Sequence, residues 1–289
     1  MTSAVTYTPL QLPVFAVDQW AGNTVDPDGV EWWVTREEGW SSTPDIRLDL
    51  VNKARADGAF DAPGYRAPRV ITLEGVALAP RWEAREMAKN RLAAVLADAT
   101  TLGVLRVQEQ LFTRQVRARL SGPAKMADRT RTTFQWSLQL TAPNPVRLSA
   151  QTYQASCGLA QQGPGLSFPA HFPLDFGSGA GGSLLLTNQG SAVSLPQWWI
   201  YGPCDYPVIT NTATGRSLAF DLTLGEGEPL KVDVAARTVT LGGANRRATL
   251  RPGSIWFGLP AYQQTPIAFS AAAPSGTAQL TAYWSDAWI

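Results

Sequence analysis

The chain has 289 residues, with 24 Lys and Arg, 23 Asp and Glu, a single His and a formal net charge of +1. An apolar fraction of 45% and a charged fraction of 16% exclude general disorder, because enough side chains can be buried to offset the entropy of ordering. The near-zero charge excludes a long-range field that would gather nucleic acid, membrane phosphate or an acidic substrate, so contact specificity has to come from shape.

This length suits two ordinary domains, since single cores stop growing at about 250–300 residues. Charge is divided unevenly. Residues 1–150 hold 18 basic and 16 acidic side chains, and residues 151–289 hold 6 and 7. Arginine accounts for all basic residues except Lys53, Lys89, Lys125 and Lys231, and arginine is the better residue for desolvated interface pairs. Cys157 and Cys204 lie in no CxxC or Cys/His spacing, so no disulfide framework is implied. The segment from Met1 to Val17 has no basic region followed by an apolar stretch, and no apolar run reaches the roughly 18 residues of a spanning helix. The expectation is a protein made and kept soluble in a cytoplasm, without membrane insertion.

Taken in order, Val30, Trp32 and Val34 alternate with Glu31, Trp33 and Thr35, and Ile46, Leu48 and Leu50 with Arg47 and Asp49, and both segments read as half-buried strands. Asn52 to Pro68, with Asp57, Gly58, Pro63 and Gly64, reads as a long loop or open hairpin tip. Arg69 to Leu78 is a further strand. Pro80 opens the one convincing helix, whose Ala84, Ala88, Leu92, Val95 and Leu96 share a face that packs on the sheet. Strands return at Leu105 and Val107, at Val116 to Leu120 and at Phe134 to Leu140, and the last of these is stopped by Ala142-Pro143-Asn144-Pro145.

Residues 151–182 are rich in Gly, Pro, Ser and Gln and read as a linker or extended arm, which gives domains at 1–150 and 183–289. The second half holds nine short β-prone runs: Ser183 to Thr187, Trp198 to Tyr201, Val208 to Asn211, Ser217 to Leu224, Leu230 to Val234, Thr238 to Leu241, Ile255 to Leu259, Ile267 to Ser270 and Ala278 to Trp284. That spacing indicates a β-sandwich or jelly roll.

Chemistry is sparse. His171 alone cannot build a multi-histidine metal site, and no nucleophile motif accompanies it. Glu37 with Glu38, and Glu226 with Glu228, are sequence neighbours in polar turns and read as solvated rather than as a glycosidase pair. Gly177, Gly179, Gly181 and Gly182 lack the Lys-Ser/Thr pair and helix of a phosphate loop. No enzyme, cofactor or metal is expected. The candidate interface or docking residues are Trp198 and Trp199, as a buried or interface pair with a sugar platform as the rival, and the basic set Arg114, Arg117 and Arg119.

The ordered motifs resemble the phage distal tail protein family (Dit, or siphophage tail component). In the first half these are Asp57-Gly58, Arg69-Val70-Ile71-Thr72-Leu73-Glu74-Gly75, the helix from Arg81 to Ala97, and Phe134 to Pro145. In the second half they are Asn188-Gln189-Gly190, Ile200-Tyr201-Gly202-Pro203, Asn211, Thr214-Gly215, Gly227-Glu228 and Ser254-Ile255-Trp256. Asn144 departs from the family's usual Asp, and Pro260-Ala261-Tyr262 from its usual Pro-Gly before an Asn.

The resemblance implies a mainly β protein with one principal α-helix, made of an N-terminal β-barrel-like ring-forming domain and a C-terminal galectin-like β-sandwich. It implies a structural ring, typically a homohexamer, at the distal end of the virion tail, assembled in the host cytoplasm. Implied partners are further copies of itself, the tail tube protein, and tail-tip, baseplate hub and tape-measure-associated proteins. Receptor-binding proteins or host-surface glycans are further candidates, and viral DNA only passes through the channel. The alternative is a carbohydrate- or cell-wall-binding sandwich module for host adhesion.

Overall fold

The computed structural model describes residues 11–159, 182–227, 229–272 and 277–289. His171, most of the expected linker and Gly177, Gly179 and Gly181 lie outside them. The chain divides into two units, Met1–Ala150 with Ile289, and Gln151–Trp288.

In the first unit an antiparallel sheet runs through Trp20–Gly22, Val14–Val17, Gly103–Gln108, Thr113–Leu120, Thr133–Ala142, Arg69–Leu78, Glu31–Glu38 and Thr24–Val25. Its spine is the ten-residue pairing of Thr133–Ala142 with Arg69–Leu78, in which Leu138 faces Leu73 and Leu140 faces Ile71. Both strands alternate buried residues with exposed or half-buried ones without a break, so one face, apolar apart from Arg69 at its end, has to be covered. The helix Trp82–Ala94 supplies Ala84, Ala88 and Leu92 to the core. Indoles fill the rest: Trp20 meets Trp136 edge-on at 5.1 Å and Trp32 at 5.9 Å, and Trp32 meets Phe134 at 5.7 Å.

The helix is shorter than expected. It stops at Ala94 because Val95 turns to an extended conformation and Leu96 to positive φ, where the Asp18 carboxylate accepts the Leu96 N–H at 2.9 Å. Val95 and Leu96 stay buried beyond the helix end. The larger correction concerns Ile46 to Leu50. Only Ile46–Arg47 and Val51–Asn52 are strands, two residues each, and they pair with Tyr65–Arg66 and Ala59–Phe60. Period-2 alternation needs a core on one side, and here there is none: Ile46, Leu48, Leu50, Val51, Phe60 and Tyr65 are 50–66% exposed. The whole excursion from Asp45 to Arg66 is an arm.

The second unit is a sandwich of two antiparallel sheets. One holds Tyr153–Gly158, Gln279–Trp284, Gln197–Tyr201, Leu230–Asp233, Thr238–Leu241 and Ala244–Asn245, in that order. The other holds Ser183–Asn188, Gln263–Ala272, Cys204–Asn211 and Ser217–Ala219, with Thr223–Leu224 also paired to Cys204–Asn211. Leu186, Trp198, Ile200, Ile209, Phe220, Val232, Phe269 and Leu280 form the core between them.

Two expectations change here. Tyr153–Gly158, read as linker, pairs along its whole length with Gln279–Trp284. Ile255 to Leu259 is not a strand and contributes one isolated bridge, Ser194 to Leu259. There the backbone of Gly258 lies so close to the Ser194 carbonyl that an added Cβ would sit 2.7 Å from its oxygen.

The Asn188-Gln189-Gly190 motif has a definite job. The fully buried Asn188 donates through Nδ2 to the carbonyls of Ala192 (2.7 Å), Leu259 and Pro260 (3.1 Å each), and its Oδ1 accepts from Gly190 N–H at 3.0 Å. The same Oδ1 accepts from the Ala287 N–H at 3.3 Å, so one side chain ties together three segments. Gly190 is pressed onto Ala287, whose carbonyl oxygen would lie 1.9 Å from any Cβ. Asn211 forms an Asx turn into Thr214-Gly215, where Gly215 adopts positive φ.

Two outcomes follow. At Gly75 an added Cβ would lie 1.9 Å from the Trp33 carbonyl and 2.5 Å from the Trp136 ring, so Gly75→Ala is expected to destabilise the protein by about 2–4 kcal/mol, read as a lower urea midpoint. Burial pushes both cysteine thiols up to about 11. Neither is expected to react with a thiol reagent in the native protein at pH 8, and both should react in denaturant.

Candidate assembly surfaces

Arg69 and Arg147 sit at the root of the arm, 1% and 6% exposed. Arg69 occupies the core-facing phase of its strand, in step with Ile71 and Leu73. Its Nη1 donates to the carbonyls of Gly39 (2.6 Å), Trp40 (3.2 Å) and Ser42 (2.7 Å), and its Nε donates to Pro145 at 2.9 Å. Arg147 donates to the Trp40 carbonyl at 2.7 Å, and its guanidinium carbon lies 5.5 Å from the Trp40 ring centre. Desolvation lowers each guanidinium to about 10, with Arg114 adding repulsion, so both stay charged at neutral pH. The chain can turn there because Gly39 adopts φ +87°, with its Cα against the Val70 carbonyl.

Two carboxylates complete the cluster. Glu37 accepts the backbone N–H of Trp40 and Ser41 and the Ser41 hydroxyl. Glu109 accepts the Trp40 indole N–H at 3.2 Å and pairs with Arg114 through two nitrogens. The expected surface arginine Arg114 is therefore part of the arm's anchor. Arg117 is exposed on the outer face of its strand, with a 3.5 Å contact to the Leu102 carbonyl, and half-buried Arg119 reaches the Ala99 carbonyl at 3.3 Å. These three arginines do not form one basic patch.

The arm beyond this anchor carries six large apolar side chains outside the unit's core. Full burial of such a side chain is worth about 1.5–3 kcal/mol, so covering what is exposed on all six would contribute several kcal/mol. A second apolar surface is a groove of about 330 Å³ lined by Leu102, Val104, Pro143, Val146 and Leu148.

In the second unit the tryptophan pair separates. Trp198 is fully buried and packs at 5.9 Å from Phe257, so it offers no platform. Trp199 points to the other side of the sheet, where Lys231 Nζ stands 4.3 Å over its ring and Tyr283 packs at 5.0 Å. An ammonium on the indole face occupies the position a sugar ring would take. Sequence reading did not single out Arg69, Arg147 or Asn188 as site residues. The available signal for Arg69 was a charge in the buried phase of an otherwise apolar alternation.

The anchor can be tested directly. Arg69→Met leaves buried carbonyls without a donor and is expected to cost about 3–5 kcal/mol in chemical denaturation, and to open residues 43–68 to protease. Arg69→Lys should restore only part, because an ammonium cannot span the fork of carbonyls.

Residues 189–288 match the family model described as the siphovirus-type tail component, C-terminal domain. No curated protein sequence matches the chain. Among solved structures, the Dit protein of phage SPP1, described as a paradigm of the hub adsorption apparatus in phages infecting Gram-positive hosts, aligns with TM-score 0.67 at 12% identity. The alignment covers 96% of this chain and 100% of that one. Chains from the phage p2 baseplate in its activated conformation align with TM-scores of 0.50 (strontium form, 8% identity) and 0.48 (calcium form, 9% identity), each covering 94% of this chain and 98% of that one. Residues 189–288 thus carry a C-terminal domain of the siphovirus-type tail component, in a chain that has the SPP1 Dit fold along nearly its whole length.

Proposed function

We propose that the protein forms a closed ring, of six copies, at the distal end of a phage tail, where it joins the tail tube to tail-tip or baseplate proteins. The observation that carries this reading is the likeness to SPP1 Dit over 96% of the chain, since that protein is described as a hub. The first unit supplies two different apolar surfaces, the arm and the groove, and a subunit of a closed ring needs two complementary patches. The second unit, low in charge, serves as the docking platform for neighbouring tail proteins. Its work is rigid, repeated burial of surface rather than chemistry. The tail tube protein, the tape-measure-associated proteins and the hub are the partners, and DNA only passes through the lumen.

Negative-stain electron microscopy of the purified protein, and of phage particles with the protein labelled, is expected to give rings of about six subunits on the tail axis at its far end. Solitary copies, or label on fibres away from the axis, would overturn the reading.

A further inference from the structure

We infer that Arg147 is a latch that couples the seating of the arm's root to the seating of Ile289, so that withdrawing Ile289 loosens the arm and loosening the arm releases Ile289. Arg147 acts here as a positioning residue, through the two segments it holds.

Two segments far apart in sequence meet on this one guanidinium. Its Nη1 donates to the Trp40 carbonyl at the root of the arm and its Nη2 to the Ile289 carbonyl, each at 2.7 Å. The group is a rigid plane, so a shift that follows one carbonyl draws the other nitrogen off its own. Arg147 is also only 6% exposed, and its Nε finds no acceptor among the described residues. No spare partner stands by, and a buried donor left unpaired carries its whole desolvation penalty. The two contacts therefore form or fail together.

Each end is able to move. On the arm side the chain turns at Gly39, at φ +87°, and what holds Trp40 converges on the same knot: its carbonyl also accepts from Arg69 Nη1 at 3.2 Å, and its ring lies against Arg147. Beyond that root the arm has no core of its own. On the other side Ile289 is half-buried and belongs to the first unit, whereas Trp288 belongs to the second. A pull on the strand Ala287–Trp288 reaches Ile289 through a single peptide bond. The docking of a neighbouring tail protein on the second unit then has a short route to the root of the arm. Only this last step rests on the platform reading above, and the coupling itself is independent of how many copies assemble.

A coupling free energy between two sites acts equally in both directions, and that reciprocity supplies the test. Three changes are made in the full chain: removal of Ile289, Arg69→Lys to loosen the arm's root from its other side, and Arg147→Lys, whose single ammonium cannot span both carbonyls. Proteolysis within residues 43–68 reads the arm, and hydrogen exchange of the peptide 284–289 reads the far end. Removing Ile289 is expected to speed cleavage of the arm by about five-fold or more, and Arg69→Lys to speed exchange at 284–289 by a similar factor. Added to Arg147→Lys, neither change should have a further effect at the far site.

Circular dichroism and melting show that each variant is folded. Wild-type cleavage of the arm in a folded protein without Ile289, or a far-site effect that survives Arg147→Lys, would overturn the latch. Should Arg147→Lys fail to fold, Arg69→Lys decides, since faster cleavage of the arm with unchanged exchange at 284–289 would also overturn it. Each of these results leaves the ring reading where it stands.

Discussion

Two guanidinium groups taken out of water at the base of an exposed arm set the terms for the first unit. Desolvating Arg69 and Arg147 is costly, and the cost is offset only because carbonyls of Gly39, Trp40, Ser42 and Pro145 converge on them with good geometry. That requirement runs in both directions. The carbonyls belong to segments leaving the sheet at either side, so satisfying the arginines fixes where the chain departs after Glu38 and where it passes Pro145. Glu37, Glu109 and Arg114 extend the same network to the Trp40 indole and to the neighbouring strand. An arm with no core of its own can then project from a defined point.

The second unit reaches definition by a different route. Its loops are held by a neutral amide rather than by buried charge, with Asn188 bonded to three carbonyls and Gly190 seated directly on the backbone of Ala287. Such a unit is stiff where the loops meet the sheet, which suits a platform whose partners recognise shape. Its outer aromatic, Trp199, is covered by Lys231 and Tyr283, so that face does not present a bare ring for stacking.

Together the units describe a protein whose function lies in presenting surfaces. The uncovered apolar arm and the groove lined by Val104 and Leu148 are unlike each other in shape. That difference separates a ring-forming subunit from a symmetric dimer.

Alternation and punctuation sufficed to read most strands, the helix and the β-rich class, because a strand buried on one face writes its burial into a period of two: Phe134, Trp136, Leu138 and Leu140 carry that signal plainly. The order of weak motifs was enough for the family resemblance. The same period misled at Ile46, Leu48 and Leu50, since alternation records which residues share a face and is silent on whether anything covers it. Composition misled at Tyr153–Gly158, where serine, glutamine and glycine sit in a strand because Gln279–Trp284 offers a full ladder.

The amino-acid sequence by itself determined the local elements, the low charge and the absence of recognisable catalytic motifs. Only the tertiary structure decided that Trp198 is core while Trp199 is not, that Arg114 is an anchor rather than a surface cation, and that Arg69 and Arg147 hold one knot. Those roles depend on which carbonyls and carboxylates arrive from residues up to 142 positions away, and no local pattern encodes such distant partners.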